Sequence, residues 1–177
     1  MVKKLLLLSF GLFALTGCSS HGNVSTKAYL RAAALDGNKL TFAFYSEEQE
    51  AITVTADNPA QAKEIAELSI GKEIFTGHTE LIMLKNCNNL ETLDFMLHEW
   101  KLSPSCMIAQ PEYNGRTILA QAEPENLTGS IKIAQKQDIS PKCDIITVLS
   151  GLLGEDESAE VAELSEKGFC GVVDIRQ

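Results

Sequence analysis

Apolar and polar residues alternate at Ile52, Val54 and Ala56, which share one side of a run otherwise made of threonines. That two-residue period predicts a strand with one buried face. Asp57-Asn58-Pro59 follows it and reads as a helix start, with Asn58 as the cap and Pro59 at the first helical position, where its missing N–H costs nothing. Ala62, Ile65, Ala66 and Ile70 then recur at helical spacing, Lys63, Glu64 and Glu67 occupy the opposite side, and Gly71 closes the segment. Thr79 to Leu84 is almost wholly apolar, as expected of a strand inside a sheet that helices cover. Together these stretches predict a strand, helix, strand unit.

The pattern extends in both directions. Lys27 to Leu35 holds four alanines and suits a helix on propensity, but Asp36-Gly37 followed by Leu40, Phe42 and Phe44 on one face reads as a turn and a strand. A hairpin is therefore expected, then an acidic turn from Ser46 to Glu50. Asn88 or Asn89 can cap a helix carrying Leu90, Leu93, Met96, Leu97 and Trp100 near one face, with Glu91 in its first turn and Leu102-Ser103-Pro104 ending it. Cys106 to Ala109 predicts a further short strand. Beyond it the pattern predicts helices over Tyr113 to Ala122, from a cap at Asn126 to about Gln135, over the apolar run Asp144 to Leu153, and over the acidic run Glu155 to Glu166 with Val161 and Leu164 inward. Gly168 to Ile175 predicts a turn and a short closing strand. The expected fold class is α/β (α+β): a mixed sheet of about four to five strands packed against several helices, in a single domain.

The N-terminus places this domain. Lys3 and Lys4 precede an apolar run from Leu5 to Leu15, which has the length of a signal-peptide core and is too short to span a bilayer. Leu15-Thr16-Gly17-Cys18 resembles the lipobox of bacterial lipoproteins, which implies lipidation of the Cys18 thiol and cleavage before it. The expected division is a signal peptide over 1–17, a lipidated N-terminus and polar tether over 18–26, and the folded domain over 27–177. Removing 17 of the 177 residues leaves 160, enough for one core without metal or crosslinks. The formal charge of −9 becomes −11 without Lys3 and Lys4. Such a surface carries no basic patch for nucleic acid and is repelled by anionic lipid, so the acyl chains do the anchoring.

Cys87, Cys106, Cys143 and Cys170 follow Cys18. An exported, even set permits two disulfides in any of three pairings, or four buried free thiols. No CxxC occurs, so the spacing supports neither a thioredoxin-like redox site nor a zinc ribbon. Asp144 and Asp156 lack the alternating acidic ligands of a calcium loop, and no metal or cofactor is expected. Gly71 to His78 places two glycines around a basic residue and a histidine, which could cradle an anion, but it departs from GxxxxGK[ST] because no lysine follows Gly77. Ser150-Gly151 is not a nucleophile elbow, and no pair of carboxylates is singled out by spacing. No catalytic residue is nominated, and the chain is not expected to be an enzyme.

The order of these elements, with Thr53-Val54-Thr55-Ala56, Ala60 to Ile65, Gly77-His78-Thr79-Glu80-Leu81-Ile82 leading into a strand, and Leu93-Asp94-Phe95-Met96 on a helix, resembles the N-terminal domain of spore germination receptor C-subunit lipoproteins, the Ger(x)C type. The resemblance covers about residues 27–135, in what would be a short stand-alone form. It departs at Ser19 and Ser20, where many members carry tryptophan and aspartate, and in its four mature cysteines. It implies an accessory lipoprotein held to the bilayer through acylated Cys18 on the extracytoplasmic face, assembling with integral membrane A and B subunits in nutrient-triggered germination. No catalytic residue comes with it. The alternatives are an extracytoplasmic lipoprotein that binds a small molecule and, with less behind it, a hydrolytic enzyme.

Overall fold

The computed structural model describes residues 26–46 and 50–177. The expected leader, Cys18, the tether through Ser25 and residues 47–49 of the acidic turn lie outside the described residues. The described chain opens with β1 (Lys27–Asp36), β2 (Lys39–Phe44) and β3 (Ile52–Thr55), followed by α1 (Pro59–Ile70), β4 (Glu73–Phe75), β5 (Leu81–Lys85), α2 (Asn89–His98) and β6 (Met107–Pro111). Then come α3 (Gly115–Gln121), α4 (Pro124–Lys136), α5 (Ile145–Leu152), β7 (Ser158–Ser165) and β8 (Gly168–Arg176).

All eight strands form one mixed sheet in the order β3-β2-β1-β5-β6-β7-β8, with β4 attached to β1. β1, β5, β6 and β7 run parallel to one another, while β2 is antiparallel to both β1 and β3, and β8 is antiparallel to β7. The crossover through α1 therefore leaves β3 at the edge, passes β2 and β1, and returns as β5. The crossover through α2 joins immediate neighbours.

The central strands are covered on both faces. Ala34 of β1 faces α3 so closely that a Cβ built on Gly115 would lie 2.5 Å from the Ala34 methyl. Phe42 pairs with Ala33 and so points to the other face, where its ring lies 5.9 Å from Trp100 just beyond α2. α2 in turn packs against α5. Coverage on both sides accounts for the burial of all of Leu81, Ile82, Met83 and Leu84, and for the lack of alternation in that run.

The helix ends follow local chemistry. The Asn58 side chain accepts from the Gln61 N–H at 2.9 Å, Pro59 occupies the first turn, and Gly71 takes the left-handed φ of 67° while its N–H bonds the Glu67 carbonyl. Asn88, Asn114 and Asp144 cap α2, α3 and α5 in the same way. Asn126 is not a cap: α4 starts earlier, with Pro124 in its first turn and Glu123 at the cap position without a side-chain bond. Proline's preset φ starts this helix without a capping side chain.

Three expectations are corrected. Glu155 to Glu166 is not a helix; Ser158–Ser165 within it is strand β7, in which Val161 and Leu164 are both buried as expected. Ala162 and Ser165 are buried as well, so both faces of β7 are covered, and two buried residues three apart fit a strand. The closing strand is longer than expected, with nine residues in β8. The sheet has eight strands rather than four or five, partly because the three-residue β4 lies within what the sequence presents as a loop.

Candidate functional site

The most distinctive local geometry lies where β1 loses register with β2. Leu30 is opposite Phe44 and Ala32 opposite Ala43, so Arg31 is the extra residue of a bulge. A bulge re-aims the side chain it carries. The Arg31 guanidinium reaches Glu80 (Nε to Oε2, 3.4 Å) and Glu125 at the start of α4 (Nη2 to Oε2, 2.9 Å), and its carbon lies 5.0 Å from the Tyr45 ring centroid. The Tyr45 hydroxyl shares its single proton between the His78 carbonyl at 2.9 Å and the other Glu80 oxygen at 3.1 Å. One carboxylate is thus held on both oxygens.

The cluster joins four separate parts of the chain. Burial lowers the Arg31 pKa, but its bonds and attraction to Glu125 and Glu80 outweigh that and raise it. Burial, reinforced by the hydrogen bond to Glu80, pushes the Tyr45 phenol up to about 12. At neutral pH it is therefore a donor. Arg31 is mostly covered and Glu80 half-covered, whereas Glu125 is open to solvent, so the pair with Glu80 contributes more of the attachment than the pair with Glu125.

Beside this cluster the strand along β1 is interrupted. Tyr29 pairs with Phe75 of β4 and Ala32 pairs with Leu81 of β5, so residues 76–80 arch over a stretch where β1 has only two. The arch is tied down: the Thr79 N–H and hydroxyl both donate to the Thr76 carbonyl (3.0 and 2.7 Å), the Thr76 hydroxyl donates to the Trp100 carbonyl, and the Glu80 N–H donates to the Arg31 carbonyl at 2.8 Å. Both threonines are buried. The His78 ring rests edge-on against Phe75, 5.2 Å between centroids. Gly71 belongs to the end of α1 and Gly77 to the arch beyond β4, so the two glycines that suggested one anion loop lie in different elements.

The arch borders a cleft of about 910 Å³ at the N-terminal ends of β1, β5 and β6. Its apolar wall is Ala28, Tyr29, Phe44 and Met107, and its rim carries Lys27, Lys72 and Lys132. A second cleft of about 740 Å³ lies at the opposite end of the strands, between the starts of α1 and α2. There the rim is acidic, with Asp57, Glu91, Asp94 and Glu99, over Leu35, Leu40 and Ala62. Sequence reasoning found neither cleft, because each collects residues from segments far apart in the chain; the one signal it had was the attention drawn to His78.

The four cysteines are free thiols, and no disulfide is present among the described residues. Cys106 and Cys143 come from adjoining backbone, where the Ile108 N–H donates to the Cys143 carbonyl and the Ile145 N–H to the Cys106 carbonyl. Both are buried, and burial pushes both thiols up, so neither is a nucleophile at neutral pH. Cys87 is half-buried after β5, and Cys170 is exposed on β8. Among the described residues no group of three or more His, Cys, Asp or Glu is placed to hold a metal ion, and no helix is long and apolar enough to cross a membrane.

No family model, no curated protein and no solved structure matches this chain.

Proposed function

We propose that this chain is an accessory lipoprotein, anchored through acylated Cys18 on the extracytoplasmic face, that acts by protein contact rather than by turnover. The context proposed for it is a spore germination nutrient receptor, with integral membrane A and B subunits as partners. The observation that carries the reading is the placement of the family-like motifs. Gly77-His78 lies in the arch that leads into β5, and Leu93 to Met96 lie on α2, the helix joining β5 to its neighbour β6 in one sheet. The resemblance to germination C subunits implies a strand that begins with such a pair after the first helix; here β4 intervenes and the pair precedes β5, so the order of the elements rather than their bounds supports the reading.

The contact role is supported by the ends of the sheet. β8 is the last strand, with Cys170 and Val172 exposed, and an open edge of this length offers backbone groups to an added strand. Crosslinking in intact cells, detergent extraction and pull-down of the full-length chain tests the proposal. Polytopic germination A and B subunits should be recovered well above a control lipoprotein. Recovery at the control level, with those subunits present in the extract, would overturn it.

The large cleft beside the arch favours a second reading, an extracytoplasmic small-molecule binder. In that case saturable ligand binding should persist in membranes that hold no germination subunits.

A further inference from the structure

We infer that the cleft under residues 76–80 binds a small amphipathic anion, a phosphate or carboxylate carried on an apolar body. Three observations converge on that chemistry. The first is the balance of charge: Lys27, Lys72 and Lys132 border the cleft against a single carboxylate, that of Glu80. Glu80 is already held by Arg31 on one oxygen and by the Tyr45 hydroxyl on the other, so its charge is offset. This lining runs against the formal charge of −9 on the whole chain.

The second is that two of those cations are unspent. Lys27 reaches Glu73 at 3.5 Å and lies 5.8 Å from the Phe75 centroid. Lys72 and Lys132 have no ion-pair partner among the described residues. Solvated lysines are common on any surface, but these two border a concavity that is also lined by Ala28, Tyr29, Phe44 and Met107. Ser103 and Ser105 line the same cleft with their hydroxyls bonded to each other at 2.8 Å, which leaves one of the two protons for a ligand, whereas the Thr128 hydroxyl is committed to the Glu125 carbonyl at 3.1 Å.

The third is size and wall chemistry. About 910 Å³ is within the range of small-molecule sites, and the phenyl, phenol, methyl and thioether groups of Phe44, Tyr29, Ala28 and Met107 accommodate an apolar body. An anion alone would leave that wall wet, and an apolar molecule alone would leave the lysines unused. The opposite cleft, with its four carboxylates, would repel the same ligand and serves as an internal contrast.

Calorimetric titration of the full-length chain in a neutral-detergent micelle tests this, with hexyl phosphate and hexanoate as probes and hexanol as the uncharged comparison. At least one anion should saturate, and hexanol should bind about tenfold more weakly or not at all, since it cannot make the charge-assisted hydrogen bonds. The double variant Lys72→Glu, Lys132→Glu should weaken the anion about tenfold or more. Lys39→Glu, at the opposite end of β2, should leave it unchanged. Lys72→Gln with Lys132→Gln, which removes the charges without reversing them, should show an intermediate loss and guards against a folding defect, checked by circular dichroism.

Vesicles of phosphatidylcholine with and without phosphatidylglycerol identify the source of the anion. Competition by phosphatidylglycerol vesicles alone would assign a lipid headgroup, and its absence would assign a soluble metabolite; both sustain the inference. Unweakened binding in the folded double variant, or no saturation by either anion below about 10 mM, would overturn it. The titration is independent of the germination reading, because it contains no receptor subunit.

Discussion

Arg31 and Tyr45 show what a single residue decides in this fold. Neither is marked by the sequence, because a bulge is a property of two paired strands, and Arg31 sits in an alanine-rich run that suits a helix on propensity until β2 is laid beside it. Tyr45 has the opposite difficulty: it reads as the end of a strand, and its role comes from residues 33 and 35 positions away. Its ionisation provides a test. The folded state raises the phenol to about 12, so the stabilisation is complete below the unfolded value near 10 and is lost as pH rises through the folded one. Tyr45→Phe should abolish a late tyrosinate absorbance step seen in wild type. At neutral pH it should cost about 1 kcal/mol in urea unfolding, the usual cost of a hydroxyl hydrogen bond. A tyrosinate step at the ordinary pH for Tyr45 would show that its link to Glu80 does not form in solution.

At the scale of elements, the chain is legible where structure is local. Asn58, Pro59 and Gly71 mark both ends of α1 because a capping oxygen, a preset φ and a left-handed residue act within a turn of themselves. β7 was illegible for the converse reason: its glutamates and alanines suit a helix, and only the ladders to β6 and β8 override that preference. β4 is three residues long and has no pattern of its own. Caps make quantitative predictions. Asp144 accepts from the Thr147 N–H and hydroxyl and pairs with Lys142; these contacts outweigh its burial and lower its pKa. Asp144→Ala should therefore cost about 1 kcal/mol at pH 7. The depressed pKa places this contribution above about pH 4, and the gap between variant and wild type should narrow as pH falls further, in urea melts at pH 7 and pH 3. At the start of α3, Gly115→Val should cost about 1 to 3 kcal/mol by overpacking against Ala34, with partial recovery on adding Ala34→Gly. Additive losses would mean that the two do not touch.

For the molecule as a whole, the α+β class, the single domain and the covered central strand follow from apolar runs that only a two-sided core can bury. The candidate site does not, since its cleft gathers β1, β2, the arch, the start of β6 and α4. The sheet order predicts a gradient in backbone amide exchange: β1 and β5 should be slowest, and the edge strands β3 and β8 fastest. Equal protection at β8 in the isolated protein would show that its edge is covered. The position of β1 also has a mechanical consequence. It starts at the end of the chain nearest the expected anchor, yet it is hydrogen-bonded on both sides, by β2 on one and by β4 and β5 on the other. Tension applied to Lys27 along the axis of β1 would load those ladders together in shear, where many bonds must fail at once. The same tension on β8 could open a single antiparallel ladder bond by bond. A domain built this way keeps its strongest joint where a membrane would pull.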